Sequence, residues 1–558
     1  MSPSATAQLR QLEKIKTHFG EGLAERKLNR LKVLEKSRLA SAAAILRLHE
    51  ILCFIRAYPD NAEILIQVKS MLDQFALRPD LKRYRHALVN TGIAGTVIEF
   101  SFFADSAMWL ARNWGSQLKI NWQTFDNTDK LEALLPMLAV YSETPALDEM
   151  SLEVQTWIKT LKRADETDAE FFLSRMEQAD LGQTRELLMD GLDLPLQLLP
   201  GDKTPARTRE HYRAATLSFQ TAPLIRNRPD MPQDGMRPPL SVRDVNPREG
   251  RQLIDLARSC MATRSRDLDA IAYGDPRDVR IVDCGGGLQL IWNGVIPERR
   301  LMFETLYGFV VLNNGVPLGY GAATCLFNSC EFAFTIFDTF RSGETAHVYG
   351  WAIANVHHLF AADTFMKDPY QLGQDNDDAL ASGAWWFYQK LGYRPRKKSF
   401  LQLMRRELKT MKQRPSHRSS LTTLKTLASE NAYLHLGQQR DDILGELPLA
   451  NVSLQVTHYL ARNFGADRKR AEHTCSKQAA QRLGLKTMKS FSSDERLMWR
   501  RWSPLVMIIP NLEQWPVADR RALVSLIRAK GGRRESEYTQ RFDAHKRLQK
   551  ALIQLSKS

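Results

Sequence analysis

The sequence predicts an α+β protein, and three observations predict it. β-rich segments cluster in the middle of the chain, between Leu240 and Pro395. On both sides lie long stretches with Leu, Ile and Ala at the three- and four-residue spacing of amphipathic helices. At 558 residues the chain exceeds one hydrophobic core, and proline-rich residues 222–239 mark a break ahead of the centre. The expected organisation has four parts. A mostly α domain covers residues 1–220, and a linker or surface arm covers 221–239. A mixed, mainly antiparallel sheet with helices follows at 240–400, and a basic, mostly α domain at 401–558.

In the first part, Leu9 to Ile55 reads as helix. Further helices are expected at Ala62–Phe75, Ala87–Asn113, Asp129–Tyr141, Leu152–Lys162 and Asp168–Leu192. They follow no fixed period, so a repeat solenoid is not expected, and nothing in them points to catalysis. Packing against the centre or binding a partner is their expected role.

The centre opens with a strand at Leu240–Val245 and a helix at Arg248–Thr263. Val279–Val282 and Leu288–Trp292 are strand-like and flank Asp283-Cys284-Gly285-Gly286-Gly287. A glycine run can cradle a phosphate, but no helix follows this one, so a flexible hairpin is expected. Glu298-Arg299-Arg300 would then put charge at a cleft mouth. Tyr307–Leu312 and Val316–Phe327 are rich in β-branched and aromatic residues, with Asn313-Asn314-Gly315 between them. Asn-Gly supplies the positive φ angles of a tight hairpin. Cys330–Phe340 makes a third strand after the turn at Asn328-Ser329. Gly343 breaks it, and Glu344–Ala362 has the length and alanine content of a helix. Lys367–Leu372 would be a short strand, Asp377–Leu391 a helix capped by Gly392, and Tyr393-Arg394-Pro395 the start of a last strand.

This order, with Tyr388-Gln389-Lys390-Leu391-Gly392-Tyr393 near its end, resembles the core of the GNAT acyltransferase superfamily and its Tyr-x-Lys-x-Gly-Phe signature. The resemblance covers about residues 240–400, and it implies an acyl group moved from acetyl-CoA or another acyl-CoA to an amine or hydroxyl acceptor. It makes Tyr388 the candidate general acid, protonating the leaving thiolate. The other reading of Trp385–Tyr388 is an aromatic core face. The resemblance also places the CoA pyrophosphate on Arg341, Ser342, Gly343, Glu344, Thr345 and Ala346, at a helix N-terminus. There the chain departs from the pattern: Phe340 stands where Gln or Arg is expected, and Thr345 replaces a small residue. Glu344 would compete with an anion for the same helix dipole. Ala381 also stands where the family often has Asn. An amine acceptor needs a base. Asp338, near the end of the third strand, is preferred over Glu331, with a raised pKa if it is buried among the phenylalanines.

Composition is ordinary for a globular protein, at 43% hydrophobic and 25% charged residues. No run has the apolar length of a membrane span, the N-terminus lacks an apolar signal core, and the six cysteines are scattered. Cys325 and Cys330 could meet across a turn, but a reduced cytoplasmic protein is the simpler expectation. No His/Cys cluster has zinc spacing, so no metal is expected. The overall charge is +15. From Arg394 onward about 34 Lys/Arg stand against about 14 Asp/Glu, an asymmetry suited to nucleic acid or another polyanion. Trp499 and Trp502 beside Arg500 and Arg501 are candidates for base stacking, against the reading of buried tryptophans in a solvated helical domain. Leu505–Ile509 is expected as a buried strand, with helices at Val517–Ala529 and Arg541–Leu555.

Two readings from different classes follow. One is a GNAT-like acyltransferase. The other is a non-catalytic GNAT-like protein that binds nucleic acid or a protein partner, and a helical interaction scaffold is a third. A cleft leading to Tyr388 supports the enzyme; a loop sealed by Glu344 or Phe340 supports the binder.

Overall fold

The computed structural model describes residues 4–179, 181–182, 184–213 and 217–557. The chain is α+β. Its centre is a nine-stranded sheet, and a small three-stranded sheet lies in the N-terminal part.

The N-terminal helices surround α1 (Ala42–Ala57), in which residues 51–57 are all buried. A helix segment apolar around its whole circumference must be enclosed, and the second half of α1 packs in the same core as the large sheet. This part of the chain is not wholly α. Ile98–Phe100, Leu118–Ile120 and Leu196–Leu198 form an antiparallel sheet with the last strand in the middle. Each reads apolar–polar–apolar over three residues, too short a pattern to separate from a helix. The helix expected at Asp168–Leu192 is two, Asp168–Gln178 and Thr184–Leu192; residues 180 and 183 of that stretch lie outside the described residues.

The large sheet has strands β1 (Ser241–Asp244), β2 (Gly274–Gly285), β3 (Leu288–Val295), β4 (Thr305–Asn313), β5 (Val316–Leu326), β6 (Ser329–Ile336), β7 (Thr364–Lys367), β8 (Arg394–Pro395) and β9 (Ala432–His435). Their spatial order is β8-β9-β7-β6-β5-β4-β3-β2-β1. From β1 to β6 the sheet is antiparallel. β6 and β7 pair in parallel, and β9 pairs antiparallel with both β7 and β8. The sheet therefore draws its ninth strand from beyond residue 400.

Period-2 alternation sends Trp292, Phe309 and Phe332 to one face and Ile291 and Val310 to the other. The first face is covered by α3 (Thr345–Phe360), and the second by α2 (Pro247–Ala262). The aromatic face is stacked, with Phe309 and Phe332 5.5 Å apart at 7°. Trp292 donates to Asn355 of α3 at 3.1 Å. Cys325 and Cys330 face each other across the β5–β6 ladder as free thiols.

Several element boundaries differ from expectation. β6 ends at Ile336, and Asp338–Phe340 is a 3₁₀ turn. The strand expected at Lys367–Leu372 ends at Lys367, because Pro369 starts a helical turn that Asp368 caps through the Gln371 N–H at 2.7 Å. The helix expected at Asp377–Leu391 is broken by Gly383 at φ 71°, leaving Asp377–Ser382 and α4 (Ala384–Lys390). Leu505–Ile509 is not a strand: all but Ile509 belongs to the helix Ser493–Ile508, nucleated by a capping box of Ser492 and Glu495. Residues 222–239 lie as a strap over α3. Leu224 and Met231 are buried, and Pro229 lies against Gly350, where a Cβ would sit 3.1 Å away.

After β8, α5 (Lys398–Gln413) leads toward β9, and the C-terminal helices form a core of their own around Trp499 and Trp502. That core docks on the sheet through Arg300. Its guanidinium donates to the carbonyls of Lys530 and Gly532 at 2.6 and 2.7 Å, so Arg300 serves an interface rather than a cleft mouth.

Candidate functional site

The one parallel pair in the large sheet is short. Ser329, Cys330 and Glu331 of β6 oppose Thr364, Phe365 and Met366 of β7, and there the ladder stops. β6 runs on to Ile336, while β7 ends one residue later at Lys367. Two strands that part in this way leave backbone carbonyls without a neighbour, and a buried carbonyl needs a donor. Here the donor is a side chain: the Lys367 Nζ hydrogen-bonds the Phe332 carbonyl.

Lys367 is fully buried. Its nitrogen lies 4.5 Å from the ring centre of Tyr388, 5.0 Å from Phe332, 5.4 Å from Tyr349 and 6.0 Å from Tyr393. Tyr349, from α3, and Tyr393 share a hydrogen bond at 2.6 Å. Burial lowers the Lys367 amine to about 7, against the raising influence of Cys330, Asp368 and Glu331. On β6 the Glu331 carboxyl is raised to about 7, first by burial and then by the Asp368 carboxylate. Burial also raises the Tyr388 phenol, which therefore keeps its proton at neutral pH. The arrangement joins a buried amine shifted down to about 7, a protonated phenol and a buried carboxyl raised to about 7. Shifted titrations grouped at a strand end make this a candidate functional site.

Of the residues singled out in the sequence, Tyr388 and Glu331 belong to this cluster. Tyr388 comes from α4, whose end is set by Gly392 at φ 107°. Asp338 does not belong. It opens the turn after β6 with its side chain 84% exposed and paired to Arg341 at 2.8 Å, so it is not buried among the phenylalanines. Lys367 and Asp368 were not singled out. The legible signal was a lysine at the end of an apolar strand, two residues from Phe365 and so on the same face.

The proposed phosphate loop is covered. Phe340 is buried and stacks on Phe54 of α1, with ring centres 6.3 Å apart. A Cβ at Gly343 would lie 3.2 Å from the Tyr58 hydroxyl. Glu344 accepts from the Ile225 N–H of the strap at 2.7 Å, and Arg226 donates to the Ser342 carbonyl at 3.3 Å. Burial raises the Glu344 carboxyl. Thr345 turns its hydroxyl back to the Arg341 carbonyl at 3.4 Å, and Ala346 packs against the core. Under the loop, Arg207 donates to Glu50 at 2.5 Å and to Thr339 at 2.7 Å, around a space of only about 10 Å³. Loop, α1 and strap are thus tied together.

Trp499 and Trp502 are buried in the C-terminal core, and Trp499 donates to the Ser476 carbonyl at 3.2 Å. They have no face free for base stacking. Among the described residues, no helix is long and apolar enough to cross a membrane. No family model, no curated protein and no solved structure matches this chain.

Proposed function

We propose that the protein is a GNAT-like acyltransferase whose reacting centre is the parting of β6 and β7, with Lys367 and Tyr388 as its working groups. One observation carries the reading: an amine shifted to about 7 and a protonated phenol meet where the single parallel strand pair opens. In that reading the acceptor nitrogen or hydroxyl attacks the carbonyl carbon of an acyl thioester, and the C–S bond breaks. Tyr388 gives its proton to the departing thiolate. The neutral Lys367 amine takes the proton that the acceptor sheds. Glu331 and Asp368 hold the charge balance around it. The acyl donor in this reading is acetyl-CoA or another acyl-CoA, and its pyrophosphate would meet the N–H groups at residues 342–346 once the strap lifts.

A second reading is favoured by the closed loop: a GNAT-like protein that has lost its donor site and binds a partner instead. Calorimetric titration with acetyl-CoA and with CoA separates the two. The acyltransferase reading expects micromolar binding that Gly343→Trp abolishes and Glu344→Ala tightens, because Glu344→Ala frees the strap. No binding by the wild type or by Glu344→Ala would favour the binder.

A further inference from the structure

Beyond the acyl-transfer reading, and independent of it, the sheet end at β8 and β9 offers a second site. A groove of about 570 Å³ opens between strap residues 229–232 and the α4–β8–β9 edge. Lys390, Arg394 and Arg396 line it, against a single carboxylate, Asp230. Arg394 is exposed, and its guanidinium is held at the end of α4, where one nitrogen donates to the Gln389 and Tyr393 carbonyls at 2.5 and 2.7 Å. Arg396 is tied to Asp441 and lies 5.6 Å over the ring of Tyr433 in the groove floor.

The charge continues along α5. Leu401 of α5 is part of the groove wall. Lys398 and Arg405, three residues before it and four after, share its helix face. Lys409 and Lys412 extend the same stripe, and all four cations are exposed. From Lys398 to Lys412 the stripe spans about 21 Å at 1.5 Å per residue. Among the described residues, no ion pair involves Lys390, Arg394, Lys398, Arg405, Lys409 or Lys412. The one carboxylate on α5, Glu407, is buried and turned to Ser419 at 2.7 Å and His417 at 3.1 Å.

A row of unpaired cations leading into a groove is costly in self-repulsion unless an anionic chain neutralises it. A membrane surface is the weaker occupant. Met404 is buried in the protein core and Leu403 and Leu408 pack against it, so Leu401 is the one leucine of α5 at the groove and the stripe offers little apolar surface to insert. A duplex keeps its bases stacked and out of a pocket, whereas a single strand can lay its phosphates along α5 and drop a base into the groove. We propose that the α5 stripe and the β8–β9 groove together form a binding surface for a single-stranded nucleic acid.

The test is fluorescence anisotropy of the full chain with labelled 20-nucleotide RNA and DNA single strands of one mixed sequence. The matching duplex and vesicles containing anionic lipid are titrated alongside, from 50 to 300 mM salt. About five cations on a single strand give a slope of log K against log salt near −3.5, at about −0.7 per neutralised phosphate. Arg405→Ala/Lys409→Ala/Lys412→Ala is expected to reduce that slope by about 2. Arg462→Ala/Lys469→Ala/Arg470→Ala, equally basic and exposed on other helices, is expected to leave it unchanged. All six positions are exposed, and thermal melting checks that both variants stay folded. Binding of either single strand with this pattern supports the proposal. It is overturned by equal loss in the two variants, by no loss in the first, or by equal or tighter binding of duplex or vesicles.

Discussion

A buried lysine is an unusual way to satisfy one carbonyl, and at Lys367 it makes stability depend on pH. The folded amine titrates near 7, while an unfolded lysine holds its proton to about 10.5. Between those values the unfolded chain binds the extra proton, so folding gains stability as pH rises. Below pH 7 both forms are charged, and the full desolvation penalty stands. Lys367→Met removes this penalty, whatever it loses in the hydrogen bond to Phe332. The stability of the variant relative to the wild type should fall by about 2–4 kcal/mol between pH 6.5 and pH 10. Glu331, raised to about 7, acts in the window between about pH 4.5 and 7 and leaves that trend alone. Urea melts at four pH values would settle it; a difference constant with pH would remove the shifted amine from the account of the site. At this scale a motif and a strand position marked Tyr388 and Glu331 in the sequence, and the fold brings them into one cluster. The sequence hid Lys367 and Asp368, whose chemistry exists only where two strands part. It misplaced Asp338, because β6 ends two residues too soon to bury it.

Single elements were most legible where a local pattern and a turn agreed. The β4–β5 hairpin follows Asn313-Asn314-Gly315 as its sequence requires. The turn also has a tertiary task that no local pattern announces. The Asn313 and Asn314 amides donate to the Ala57 carbonyl at the end of α1, at 2.8 and 2.9 Å. Asn314 further exchanges hydrogen bonds with Ser218, at 2.8 and 2.9 Å, and holds φ at 49°. Asn314→Ala should therefore cost about 2–4 kcal/mol, through lost buried hydrogen bonds and strain at positive φ. Asn314→Gly keeps the first loss and relieves the second, so it should cost about 1 kcal/mol less. Equal destabilisation of the two in chemical denaturation would show that the backbone angle contributes nothing. Short strands were read where they flanked a recognisable element, as at β1 and β8, and missed elsewhere. β9 is four residues in a helical, basic stretch, and only the sheet it joins makes it a strand.

Across the whole molecule, the outer domains are fastened to the sheet by buried polar contacts as well as by apolar packing. At the C-terminal dock, Lys530 and Glu535 pair at 2.5 Å with both side chains fully buried, and Lys530 also donates to the Glu304 carbonyl at 2.5 Å. Next to them Ser536 donates to Tyr307 at 3.1 Å, and Thr539 to Thr305 at 2.6 Å. Removing one partner of a buried pair strands the other charge. Glu535→Ala should cost about 3–5 kcal/mol, while Lys530→Met/Glu535→Leu should recover most of that loss. Tryptophan fluorescence in urea reads both, since Trp499 and Trp502 sit in the domain that would loosen. If the double variant were no more stable than the single one, stranded charge would not be the cause. Domain-scale charge was plain in the sequence, and the α+β class followed from the central strands and the helical spacing on either side of them. How the parts close over the loop at 340–346 was not, because the contacts of Phe54, Ile225 and Glu344 join residues more than a hundred positions apart.

The placement of β9 between β7 and β8 has a consequence for synthesis. β8 pairs only with β9, and β9 is made some 37 residues later. As the chain leaves the ribosome, β7 waits as a bare edge with its aromatic neighbours already in place, and β8 waits with nothing to join. The basic helix α5 is made within that interval, so it emerges while the sheet still has an open side. An open edge is a template for pairing with another chain, and it persists until β9 arrives to close it.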